Sequence, residues 1–191
     1  MTRTILIPDL GGASADHWQA WWARVEPDAL LLHGAVVGGP SVATARVVDT
    51  VLANPGSVIV AHGSGCLLAT KVLTEMAQLH VAGALLVAPS GRGQSDRLGR
   101  LADGSQDALP VATTVVASRT DPWTGIAEAE RIAEAWDGRF VDLGDAGHID
   151  AASGFGPWHE GIALRDDLIV RAIPSVLPGQ VRDLPAQRWA F

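Results

Sequence analysis

The 191-residue chain has one cysteine, Cys66, so no internal disulfide can support its fold. It has no tyrosine, and Lys71 is the only lysine among 14 basic residues. Against 21 acidic residues these leave a formal net charge of -7. No stretch of the chain gathers the basic residues into a cluster, so nucleic acid is not expected as a partner. Apolar runs such as Val81 to Ala88 fall well short of the roughly 20 residues a membrane-spanning helix needs, and no membrane segment is expected. The amino terminus leads directly into Thr4-Ile5-Leu6-Ile7, a strand pattern rather than a targeting signal, which predicts a cytoplasmic location. There is no repeat, no glycine-rich phosphate loop and no His/Cys/Asp spacing suited to a metal. Neither a metal nor another cofactor is predicted.

What is present is a 48% hydrophobic composition, enough for one well-buried core, and a single domain spanning 1–191 is expected. Short apolar runs alternate with segments of helical period, the pattern of a parallel sheet covered by crossover helices, so the fold class is α/β. Strands are predicted at Thr4 to Ile7, Ala29 to Leu32, Ser57 to Ala61, Gly83 to Ala88, Thr113 to Ser118 and Arg139 to Leu143. Helices are predicted at Asp16 to Val25, Val42 to Leu52, Cys66 to Gln78, Ile126 to Trp136 and about Trp158 to Arg171, with Ser41 and Thr124 as N-caps for two of them. The polar stretch from Ser90 to Pro110 reads as a solvent-exposed excursion. The tail from Pro174 reads as an irregular strap ending on Trp189 and Phe191.

Ligands of open α/β sheets bind at the carboxyl ends of the strands, which directs attention to Ala61-His62-Gly63-Ser64-Gly65, where a strand turns sharply into a helix. In such a nucleophile elbow the residues two before and two after the apex must be small, because strand and helix nearly touch. With position 63 at the apex the flanks are Ala61 and Gly65. With Ser64 there they would be His62 and Cys66, and an imidazole does not fit. Gly63 is therefore expected in the nucleophile position, relieving strain and leaving space where a hydroxyl would stand. Ser64 is expected at the helix start, its N–H directed into an oxyanion site and its side chain elsewhere. Cys66 lies beyond the turn and reads as a small buried residue.

Leu10-Gly11-Gly12, Asp16-His17-Trp18-Gln19, this elbow, and Gly147-His148-Ile149-Asp150-Ala151-Ala152-Ser153-Gly154-Phe155-Gly156-Pro157-Trp158 together resemble the small serine-hydrolase family that includes retinoblastoma-binding protein 9. The resemblance covers most of the chain. It implies a compact α/β-hydrolase fold with little or no lid, and a Ser-Asp-His triad whose last two members fall on Asp121 and His148. The serine does not match, since relatives read His-Ser-Leu-Gly where this chain reads His62-Gly63-Ser64-Gly65. Relatives also read Pro-Gly-Leu-Gly after the first strand, where this chain has Pro8-Asp9-Leu10-Gly11. That places a carboxylate beside Leu10 in the loop that helps form the oxyanion hole, where it would oppose a developing oxyanion.

Asp121 can still orient His148, leaving a histidine able to take or give a proton, with Asp9 as a partner acid or base if it faces the same cavity. The expected function is non-covalent general acid–base chemistry of lyase, isomerase or cyclase type on a small apolar metabolite. Two alternatives stay open: a serine hydrolase, using Ser64 or representing a Ser-to-Gly variant, and a ligand-binding protein without chemistry. His17, Trp18, His62, Trp123 and Trp158 are the candidate pocket residues, with packing the competing role for each.

Overall fold

The computed structural model describes residues 2–9, 11–33, 39–90 and 108–172. The predicted Ser90 to Pro110 excursion and the predicted tail strap, with Trp189 and Phe191, therefore lie wholly or mostly outside the described residues, and so does Leu10. Six strands, β1 (Thr4–Ile7), β2 (Ala29–Leu31), β3 (Ser57–His62), β4 (Val81–Val87), β5 (Ala112–Ala117) and β6 (Arg139–Asp142), form one sheet in the order β2-β1-β3-β4-β5-β6. Every neighbouring pair is parallel.

The strands alternate their apolar side chains between two covered faces, as a parallel sheet requires. Ile5, Ile7, Ile59, Ala61, Ala84, Leu86 and Val115 pack with α2 (Pro40–Ala53), α3 (Gly65–Glu75) and α4 (Ile126–Ala135). Leu6, Val58, Val60, Leu85, Val87 and Val116 face α1 (Trp18–Val25) and α5 (His159–Ala172). Each internal strand thus buries both faces, and none of the described helices is long and apolar enough to cross a membrane.

Two predicted caps are corrected. Helix α2 starts at Pro40, behind Gly39 as N-cap, because proline's fixed φ suits the first helical position and takes Ser41 inside the helix. Helix α4 follows Gly125, and the Thr124 hydroxyl instead donates to the Pro89 carbonyl at 2.9 Å. Helix α1 is capped by His17, whose Nδ1 accepts the Gln19 N–H at 3.1 Å, so it begins at Trp18 rather than Asp16. Helix α3 ends at Glu75, earlier than the periodicity suggests.

The strand order fixes where a site can be. From β1 the chain moves outward to β2, while from β3 it moves the other way to β4, so the loops after β1 and β3 diverge and leave a crevice at their carboxyl ends. The register Ile7↔Ala61 brings Asp9 and Gly63 to that crevice together. Gln19 spans its floor, donating from Nε2 to Ile7 O at 3.0 Å and to Val60 O at 3.4 Å.

Candidate active site

Gly63 is the apex of the turn after β3, at φ +56°, the left-handed region in which a side chain is strained. Its carbonyl accepts from Cys66 N at 3.1 Å and Ser90 N at 3.3 Å. The tight approach that requires a small residue two positions on is present at Gly65, where an added Cβ would sit 2.5 Å from Pro8 O and 2.7 Å from Ile7 O. Ser64, between them, already has right-handed helical geometry, with φ -67° and ψ -19°.

Two expectations about this turn are corrected. The volume in front of Gly63 is not vacant: a Cβ there would lie 2.9 Å from both Cγ and Oδ1 of Asp9 and 3.2 Å from its Cβ. Nor does the Ser64 side chain point elsewhere. Asp9 Oδ1 accepts the Ser64 backbone N–H at 2.9 Å and also the Ser64 hydroxyl. The N–H that follows the apex, the donor an elbow normally directs at an oxyanion, is thus already occupied by a carboxylate of the chain itself.

At the same end of the sheet, toward its β6 edge, the loop after β5 and the loop after β6 bring Asp121 and His148 together. His148 Nδ1 donates to Asp121 Oδ2 at 2.9 Å, and the two side chains are only 8% and 2% exposed. The other Asp121 oxygen closes its own turn by accepting the N–H groups of Trp123 (2.8 Å) and Thr124 (3.4 Å). With Nδ1 committed, Nε2 is the atom of His148 left for exchange with a ligand. Burial pulls the His148 pKa down, but the Asp121 hydrogen bond and the charges of Asp121, Asp9 and Asp150 outweigh it, so the net effect is a rise above the ordinary imidazole value.

The histidine loop is held from three directions. His62 Nε2 donates to the His148 carbonyl at 2.9 Å, Ser153 Oγ accepts His148 N–H at 3.1 Å, and Thr120 Oγ1 accepts Gly147 N–H at 3.0 Å. Asp150 Oδ1 in turn accepts from Ser153 N and Oγ at 2.8 and 2.7 Å. The His17 ring stands 5.0 Å from His62, and His62 stands 4.9 Å from His148, so three imidazoles line up across the crevice. Burial lowers both His17 and His62 to about 4, which keeps these two neutral beside the cationic tendency of His148.

The tryptophans divide. Trp18 and Trp158 are core side chains, packed edge to face at 5.1 Å, and Trp18 Nε1 donates to Ile149 O at 2.9 Å. Aromatic rings buried on all sides close the layer beneath the site and offer no open wall to a ligand. Trp123, beside Asp121, is 56% exposed. Sequence reasoning missed Ser118, Thr120, Asp150 and Ser153, the hydroxyls and carboxylate that fasten the dyad loops. Asp150-Ala151-Ala152-Ser153 does carry a usable signal, an Asp whose side chain caps the short 3-10 turn that follows. It also missed Ser90, buried after β4 with an Oγ that has no hydrogen-bond partner among the described residues. Among the described residues no group of His, Cys, Asp and Glu could hold a metal.

A family model described as serine hydrolase matches residues 4–166. Among solved structures, a YdeN-like hydrolase from Pectobacterium atrosepticum is 28% identical with a TM-score of 0.81, covering 91% of this chain and 94% of that one. The ydeN gene product of B. subtilis (17% identity, TM-score 0.74, 89% and 100% coverage) shares the fold. So does a hydrolase of the alpha/beta superfamily from Xanthomonas campestris (17%, 0.64, 88% and 98%). None of the curated proteins matches detectably. A model match over 4–166 and neighbours of nearly equal length point one way: the chain belongs to the serine hydrolase family and has an α/β-hydrolase fold.

Proposed function

We propose that the chain is a non-covalent acid–base enzyme, of lyase, isomerase or cyclase type, acting on a small apolar metabolite. In this reading His148 carries the proton, Asp121 positions it, and Asp9 stands opposite as a fixed carboxylate. The observation that carries the reading is the seat of Asp9. Acyl transfer through an elbow needs a nucleophile at the apex and an open N–H beside it. Here the apex is Gly63, and the Ser64 N–H is bonded to Asp9 Oδ1.

His148 can work without a nucleophile. Its Nδ1–H is fixed by Asp121, so Nε2 faces the reactant as an acid while the ring is protonated and as a base once it is neutral. The raised pKa moves this change above the ordinary imidazole value. The neutral His17 and His62 rings supply polar, uncharged walls.

One observation favours a second reading, a serine hydrolase acting through Ser64: the Ser64 hydroxyl donates to a carboxylate. Labelling with a fluorophosphonate, which phosphonylates an activated serine, separates the two. No label is expected on the parent chain. Label that disappears in Ser64→Ala would restore the hydrolase. A metabolite extract consumed by the parent and untouched by His148→Ala supports the acid–base reading, and an extract unchanged by both leaves a ligand-binding protein.

A further inference from the structure

The oxyanion site of this fold normally offers N–H groups to a developing negative charge. Here the Ser64 N–H and hydroxyl both point at Asp9 Oδ1, and the Asp9 carboxyl carbon lies 2.9 Å from the position a side-chain carbon at residue 63 would take. The reacting position therefore faces a fixed anion in place of a donor. We infer that the polarity of the site is inverted, and that its otherwise apolar substrate carries, or acquires during the reaction, one positive centre beside Asp9: an amine nitrogen, an iminium or a carbocation-like carbon, and not a carboxylate or phosphate.

The surroundings agree. Among the described residues, the charged side chains that act on the three imidazoles are Asp9, Asp16, Asp121 and Asp150, with His148 as their cationic counterpart. Of these carboxylates, Asp9, Asp121 and Asp150 act on His148. Ser90, whose N–H bonds the Gly63 carbonyl, has a buried hydroxyl with no partner among the described residues, an acceptor suited to an N–H or polarised C–H of such a substrate. Trp123, held next to Asp121, exposes an aromatic ring of the kind that attracts organic cations.

This inference rests on the reading that Asp9 and His148 serve one cavity, and it can fail separately from the acid–base function. The test uses three probes with the same ring and nearly the same shape: 4-hydroxyphenyltrimethylammonium, neutral 4-tert-butylphenol and anionic 4-hydroxybenzenesulfonate. Each is titrated at neutral pH into the full chain while the histidine Cε1–H resonances are followed by NMR, with His148→Gln used to assign the His148 signal. The ammonium is expected to bind about tenfold tighter than its neutral isostere, and the sulfonate not at all. Asp9→Asn, which keeps the shape and an oxygen for the Ser64 N–H, should lose that preference and leave 4-tert-butylphenol binding unchanged.

Equal binding of cation and isostere, tightest binding of the sulfonate, no response of the His148 signal to any probe, or a preference that survives Asp9→Asn each overturns the inference. If Asp9→Asn does not fold, the order of the three probes on the parent chain decides alone. Fluorophosphonate labelling of Ser64 together with the expected probe order would remove the non-covalent function and keep the inverted polarity. Absence of label with the wrong order would do the reverse.

Discussion

Restoring the missing serine by itself should fail, and the structure gives the size of the failure. Gly63→Ser places a side chain at φ +56°, which costs about 1–2 kcal/mol in left-handed geometry. Its Cβ also meets Asp9 at 2.9 Å. Either the contact is kept, at about 1–3 kcal/mol of overpacking, or the carboxylate swings away and gives up both Ser64 hydrogen bonds, at a similar cost. The single variant should thus lose ~2–5 kcal/mol, read by urea denaturation. Asp9→Gly alone strips a buried N–H and hydroxyl of their acceptor, at about 1–3 kcal/mol. In the double variant the collision is gone and the Ser64 donors are already released, so the cycle should show a coupling of ~1–3 kcal/mol in favour of the pair. Fluorophosphonate should label the double variant at position 63 and neither single one. An additive cycle, or full labelling of Gly63→Ser by itself, would refute the steric reasoning.

Other outcomes follow from the same geometry. Gly65→Ala should abolish folding or cost more than about 3 kcal/mol, because its Cβ would press on the backbone carbonyls of Pro8 and Ile7, which cannot rotate away; circular dichroism and denaturation read this. Stability should fall as pH drops from about 6.5 toward about 4. Over that range the unfolded chain protonates His17 and His62 while the folded chain holds them neutral, a difference of ~3 kcal/mol per ring once pH is below 4. His148 acts in the opposite sense: its contribution is complete in acid and is lost as pH rises through its elevated value. Asp121→Asn should lower the His148 titration, followed by NMR, since the Asp121 charge is lost while burial remains and only the weaker pulls of Asp9 and Asp150 oppose it.

The sheet was legible because its strands are short apolar runs with turn residues at both ends, and the elbow because two small residues at fixed spacing leave one register. Gly65 against Pro8 O is the contact that spacing anticipates. The caps at Ser41 and Thr124 misled because local preference was read without Pro40, which claims the first helical position by its ring, and without Pro89 O, which recruits the Thr124 hydroxyl from another loop. The plug at Gly63 was beyond sequence reasoning for the same physical cause. A glycine shows that a side chain is missing, and only the parallel register of β1 on β3 shows that Asp9 stands in its place. Trp18 and Trp158 carried no sign of which way a large ring would face.

The amide of Gln19 bonds one carbonyl on each of two paired strands, Ile7 O on β1 and Val60 O on β3. It adds a side-chain tie to the β1–β3 ladder just beneath the place where Asp9 fills the space in front of Gly63. A side chain at the apex and the carboxylate of Asp9 compete for one space, so a change at either position bears on the other. A lone serine at 63 meets an occupied site, and the pairing of Gly63 with Asp9 works as a latch that a single substitution does not release.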